Sequence, residues 1–80
     1  MAEKPLPNFY WTIEKDGKIL VFDEGGYSAI AARTRAVRHP QSSGQGVTIK
    51  VWRYLEDRTK SRLIMQRNPG NRSWERKASM

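Results

Sequence analysis

Cysteine is absent from this chain, and histidine occurs once, at position 39. The first absence excludes disulfides and thiolate metal sites, so nothing covalent staples the fold. The second leaves His39 without a Cys or a second His with which to share a metal ion. Long apolar runs are missing as well: none approaches the roughly 20 residues that span a bilayer. Residues 1–8 contain two prolines and no apolar segment of the signal-peptide kind, which sets the expectation of a soluble, cytoplasmic protein without a membrane partner. Acidic side chains are also scarce, eight Asp and Glu against fifteen Lys and Arg.

That excess is uneven. Residues 1–40 hold six basic and five acidic side chains, net +1, whereas residues 41–80 hold nine and three, net +6. Charge concentrated in this way draws polyanions and accelerates encounter with them, which favours binding over catalysis. With 80 residues there is room for one domain, which buries only about 60% of the surface its unfolded chain exposes. Three Trp, three Tyr and two Phe must therefore supply much of the core, each burying roughly 150–250 Å².

Phe9, Trp11 and Ile13 alternate with Tyr10, Thr12 and Glu14, the period of a half-buried strand, and Asp16-Gly17 then marks a two-residue hairpin turn. The expected return strand is 18–23, with Lys15 facing Lys18, Ile13 facing Leu20 and Trp11 facing Phe22, before Glu24-Gly25-Gly26 breaks the sheet. A helix is expected over 27–39, N-capped by Ser28, burying Tyr27, Ile30, Thr34 and Val37 and stopped by Pro40. Residues 41–46 have the composition of a mobile loop. Strands follow at 47–54 and 62–66, joined by a polar turn around 56–60. An Asn68-Pro69-Gly70-Asn71 turn then pairs Arg67 with Arg72 and Met65 with Trp74 in a short fifth strand. The reading is a single α+β domain over 9–76, an antiparallel sheet of four to five strands in β-β-α-β-β-β order with one helix on one face. It lies between a flexible segment, 1–8, and a frayed end, 77–80. The expected core is Trp11, Ile13, Leu20, Phe22, Ile30, Val37, Val47, Ile49, Val51 and Trp74.

Catalytic chemistry finds few candidates. His39 reads as a cation at a helix C-terminus, and the carboxylate pairs Asp23-Glu24 and Glu56-Asp57 read as solvated turn charges without the partner that shifts a pKa. Gly44-Gln45-Gly46 lacks the third glycine and the following helix of a phosphate-cradling loop. No catalytic residue, cofactor or metal is expected. The positive signal is the interleaving of cations and aromatics: Lys50, Trp52 and Tyr54 on one strand face, with Arg53 beside them and Arg62 on a neighbouring strand. Such a surface stacks bases while cations hold phosphates. The same residue types also cover one another by cation–π contact or anchor a protein interface. Arg58, Lys60, Arg62, Arg67, Arg72, Arg76 and Lys77 continue the positive charge against Glu75 alone, as a phosphate track or a surface for an acidic partner would.

The element order over residues 9–76, with the hairpin-and-Trp ending RLIMQRNPGNRSW, resembles small phage-encoded anti-CRISPR inhibitors of type I CRISPR effector complexes. The resemblance lies in layout and carries no family residue over to a numbered position. Many of those inhibitors are acidic DNA mimics, whereas this chain is basic. The resemblance implies an inhibitor docking on a nucleic-acid-handling complex, through the guide RNA path, acidic effector surfaces or DNA held beside the effector. A stand-alone DNA- or RNA-binding accessory protein is the alternative.

Overall fold

The computed structural model describes residues 7–55 and 58–77. The expectations for the flexible segment before Pro7, for the Glu56-Asp57 pair and for the frayed end after Lys77 lie outside the described residues. The order is β1 (Phe9–Lys15), β2 (Lys18–Gly26), α1 (Ala29–Arg38), a 3-10 turn (Pro40–Ser43), β3 (Val47–Tyr54), β4 (Ser61–Arg67) and β5 (Glu75–Arg76). All strand pairs are antiparallel, the spatial order is β2-β1-β3-β4-β5, and α1 packs on the sheet, an α+β fold as the alternation predicts. Among the described residues no helix is long and apolar enough to cross a membrane.

The β1–β2 turn forms where Asp16-Gly17 predicts it, with φ of 54° and 78° at those two residues, and Lys15 faces Lys18. Beyond that pair the expected register fails. Glu14 faces Ile19 but Ile13 faces Val21, so Leu20 is an extra residue in a bulge and residues 21–23 change face, until a second register shift between the Trp11 and Phe9 pairings restores the parity at Gly26. Trp11 is thereby opposite Asp23 rather than Phe22, and Phe22 turns outward to 53% exposure with Leu20 also exposed. Glu24-Gly25-Gly26 does not break the sheet; it completes β2, with Gly26 opposite Phe9.

Ser28 caps α1 as expected, its Oγ accepting from the Ala31 N–H at 3.0 Å. The buried face of the helix is not the expected stripe. Ala32 and Ala36 are fully buried, while Tyr27, Ile30 and Val37 are exposed, Ile30 at 64%. The cause is separation: a Cβ added at Gly26 would lie 2.7 Å from the Ala32 Cβ, so helix and strand meet through the smallest side chains and large ones have no room between them. Residues 41–46 are not wholly loop either. Ser42 is buried in the 3-10 turn, its hydroxyl donating to the Val37 carbonyl at 2.9 Å.

Trp11, Ile13, Val47, Ile49, Val51 and Met65 form the sheet side of the core under Ala32 and Ala36. Trp11 is 2% exposed, yet its indole N–H has no hydrogen-bond partner among the described residues, a cost of about 1–3 kcal/mol for a buried donor. The 68–71 turn closes with the Asn71 N–H on the Asn68 carbonyl at 3.1 Å, but the strand beyond it is shorter and shifted. Met65 faces Arg76 and Gln66 faces Glu75, a slip of two residues that preserves the in–out parity. Trp74 consequently lies outside the ladder and packs, half-buried, against the core edge.

Candidate binding surfaces

The face of the sheet opposite the helix carries an aromatic cluster with Tyr10 at its hub. Tyr10 lies 4.8 Å from Tyr54, 5.0 Å from Phe22 and 5.8 Å from Trp52 between ring centroids, nearly parallel to Trp52 at 7°. The parity of β1 and β3 puts Tyr10, Trp52 and Tyr54 here, and the β2 bulge adds Phe22. Polar contacts lock the rings in place. The Trp52 Nε1–H donates to Thr12 Oγ1 at 3.1 Å, the Thr12 hydroxyl donates to Glu14 Oε2 at 3.0 Å, and Tyr10 shares a hydrogen bond with the Ser61 hydroxyl at 2.7 Å.

The cations of this face are neutralised. Lys50 Nζ is 3.0 Å from Glu14 Oε1 and 5.8 Å from the Trp52 ring centroid. Arg58 sits 4.1 Å over Tyr54, donates to the Pro7 carbonyl at 2.8 Å and pairs with Glu24 at 3.2 Å. Tyr54 donates to the same Glu24 carboxylate. Burial first, then that hydrogen bond and the Glu24 charge, push the Tyr54 phenol up to about 12, with Arg58 working against them. Trp52 is therefore on the face that the alternation predicts, but it is stacked on Tyr10 and hydrogen-bonded rather than bare; the outward ring is Phe22.

The other expected site residues are placed differently. Arg53 follows Val51 on the helix side, exposed, 5.8 Å over the Phe9 ring, with Arg62 opposite it on β4. Arg67 lies 5.7 Å over Trp74 and reaches the Ser42 carbonyl at 3.4 Å, and Arg33 of the helix lies 5.9 Å from the same ring. Arg72 lines a recess with Ser42, Ser43 and Arg67, and Arg76 lines another with Ser28, Ile30 and Ile64. Lys60 is exposed in the β3–β4 connection. Of the ten expected residues, Lys50, Trp52, Tyr54 and Arg58 thus join the aromatic face, Arg53, Arg67, Arg72 and Arg76 join the helix side, Arg62 pairs with Arg53 across β3 and β4, and Lys60 stays in the connection; the helix side also gains Arg33, Arg35 and Arg38, which are not among the expected site residues. A basic last turn on the helix was the available signal for Arg35 and Arg38.

Chemically, one face offers an apolar, outward ring in a polar frame, and the other offers guanidinium groups without carboxylate partners among the described residues, of which Arg33, Arg53 and Arg67 are held over rings. Comparison with protein-family models, with curated proteins and with solved structures finds no match for this chain.

Proposed function

We propose that this protein is a non-enzymatic binding protein that docks on a nucleic-acid-handling ribonucleoprotein, with its helix side toward phosphate and its aromatic face toward protein. One observation carries the reading: Arg33, Arg35, Arg38, Arg53, Arg67, Arg72 and Arg76 form no ion pair among the described residues, so together they leave this side with an excess of positive charge. The clustered Tyr10, Phe22, Trp52 and Tyr54 support a protein contact on the opposite face, since aromatic residues beside arginine dominate interface hot spots. Element order suggests a CRISPR effector complex as the particular target.

Pulldown from a lysate, with and without nuclease, tests the proposal. A partner complex retained after nuclease supports docking, and one lost with the nucleic acid points to a stand-alone nucleic-acid-binding protein. Charge reversal at Arg53 and Arg76, both exposed, should weaken binding about tenfold or more while leaving thermal stability nearly unchanged. For duplex DNA the slope of log affinity against log salt should be about −0.9 per phosphate neutralised and should flatten in that variant. An affinity indifferent to salt would remove the helix side from the contact.

A further inference from the structure

Beside the C-terminal end of α1 lies a cavity of about 510 Å³ walled by Trp11, Asp23, Arg35, Arg38, His39 and Pro40. That size suits a small-molecule ligand. Its walls are assembled by features already described: the β2 bulge sets Asp23 opposite Trp11, the last helical turn supplies Arg35 and Arg38, and the His39 ring lies 5.8 Å from the Trp11 ring. The polar inventory is mostly donors. Neither guanidinium forms an ion pair among the described residues. His39 Nδ1 accepts from the Gln41 N–H at 3.1 Å, which places the ring hydrogen on Nε2. Asp23 is the one carboxylate in the wall among the described residues.

We propose that this cavity binds a phosphate monoester of nucleotide size. Two guanidinium groups match phosphate geometry and charge. Asp23 repels a bare anion, so the favoured ligand also brings a hydroxyl or amino donor for that carboxylate to accept, as the sugar and base of a nucleotide do. Gly25 adjoins this side chain: a Cβ there would come within 2.7 Å of the Arg35 Cδ, so an alanine would displace the end of the flexible Arg35 side chain. The inference rests on the phosphate-binding reading above for the class of ligand and on this cavity for the site.

The test is an NMR titration of the full chain, following the three indole N–H resonances, with adenosine 5′-monophosphate, adenosine, inorganic phosphate, and one single-stranded oligonucleotide with and without a 5′-phosphate. The nucleotide should shift the Trp11 resonance saturably and leave that of Trp52, held by Thr12, in place. Adenosine and inorganic phosphate should each bind about tenfold more weakly or worse. Arg35→Gln with Arg38→Gln should weaken the nucleotide by at least about tenfold, and Gly25→Ala should weaken it through displacement of Arg35, with the melting temperature kept in both. Asp23→Asn should weaken the nucleotide yet tighten inorganic phosphate. An unmoved Trp11 resonance, nucleotide binding indifferent to the arginine pair, or inorganic phosphate bound as tightly as the nucleotide would overturn the proposal. Tighter binding of the 5′-phosphorylated oligonucleotide identifies the ligand as a chain end, and equal binding of the two with a nucleotide-shifted Trp11 identifies it as a free nucleotide. If neither oligonucleotide binds while the nucleotide does, the surface reading fails and the cavity stands; if both bind alike and the nucleotide moves nothing, the reverse holds.

Discussion

On the open face of the sheet Lys50 and Arg58 are each held by a carboxylate, Glu14 at 3.0 Å and Glu24 at 3.2 Å. On the helix side Arg33 and Arg67 flank Trp74, and Arg53 lies over Phe9, with no carboxylate on any of the three among the described residues. Both arrangements fix a long side chain, but they treat its charge in opposite ways. A carboxylate cancels the field of its partner, whereas a ring orients the guanidinium and leaves its charge in place. A chain with net charge +7 can thus present one face that is close to neutral and another that is cationic. The two faces also divide structural labour, because the core lies entirely on the helix side while the aromatic cluster of the open face remains partly in water.

That division fixes the largest expected difference between two aromatic residues on adjacent strands. Trp11→Ala should cost about 3–5 kcal/mol, enough to unfold most of the population of so small a domain. Phe22→Ala, on the exposed ring, should cost about 1 kcal/mol, the loss of one ring–ring contact with Tyr10. Chemical denaturation of the two variants measures the gap, and equal losses would mean that the bulge at Leu20 is absent and that Phe22 faces the core.

A smaller effect should come from within the open face. Thr12 is buried, taking a hydrogen bond from Trp52 and giving one to Glu14, so it joins the aromatic cluster to the Lys50 ion pair. Thr12→Val keeps the shape and removes both bonds, and should cost about 1–3 kcal/mol. It should also free the Trp52 ring, seen as greater access of a soluble quencher. An unchanged denaturation midpoint would show that water replaces the hydroxyl without loss and that the face is not tied together through Thr12.

How much of this was legible depends on whether the deciding contact was local. The hairpin turn, the Ser28 cap, the parity of β1 and β3 and the order of elements follow from neighbouring residues, and all appear in the structure. The bulge does not, because Ile19, Leu20 and Val21 are equally apolar and only the fit of β2 against β1 selects Leu20 as the extra residue. For the helix, the expectation that the largest apolar side chains turn inward failed where the Gly26–Ala32 approach sets the spacing. The cationic half of the chain was visible in composition, but its neutralisation was not, since the two ion pairs of the open face join residues 36 and 34 positions apart. The cavity beside Trp11 was hidden for the same reason as the bulge, since the unshifted register would have set Phe22 where Asp23 stands.

The smallest effect expected is an alkaline one, and it should belong to the open face alone. With the Tyr54 phenol raised from 10.0 to about 12, the folded chain keeps a proton that the unfolded chain has begun to release. Between those values the unfolded state binds fewer protons, so stability falls as pH rises; below pH 10 the contribution is fully present. Tyr54→Phe should remove that alkaline decline. Glu24→Gln should reduce it by withdrawing the acceptor's charge while burial of the ring, the larger cause, persists. Spectrophotometric titration of the tyrosines gives the check, because Tyr54 should ionise later in the parent than in Glu24→Gln. Coincident titration curves would mean that Glu24 serves Arg58 alone, leaving the neutral character of this face to its ion pairs.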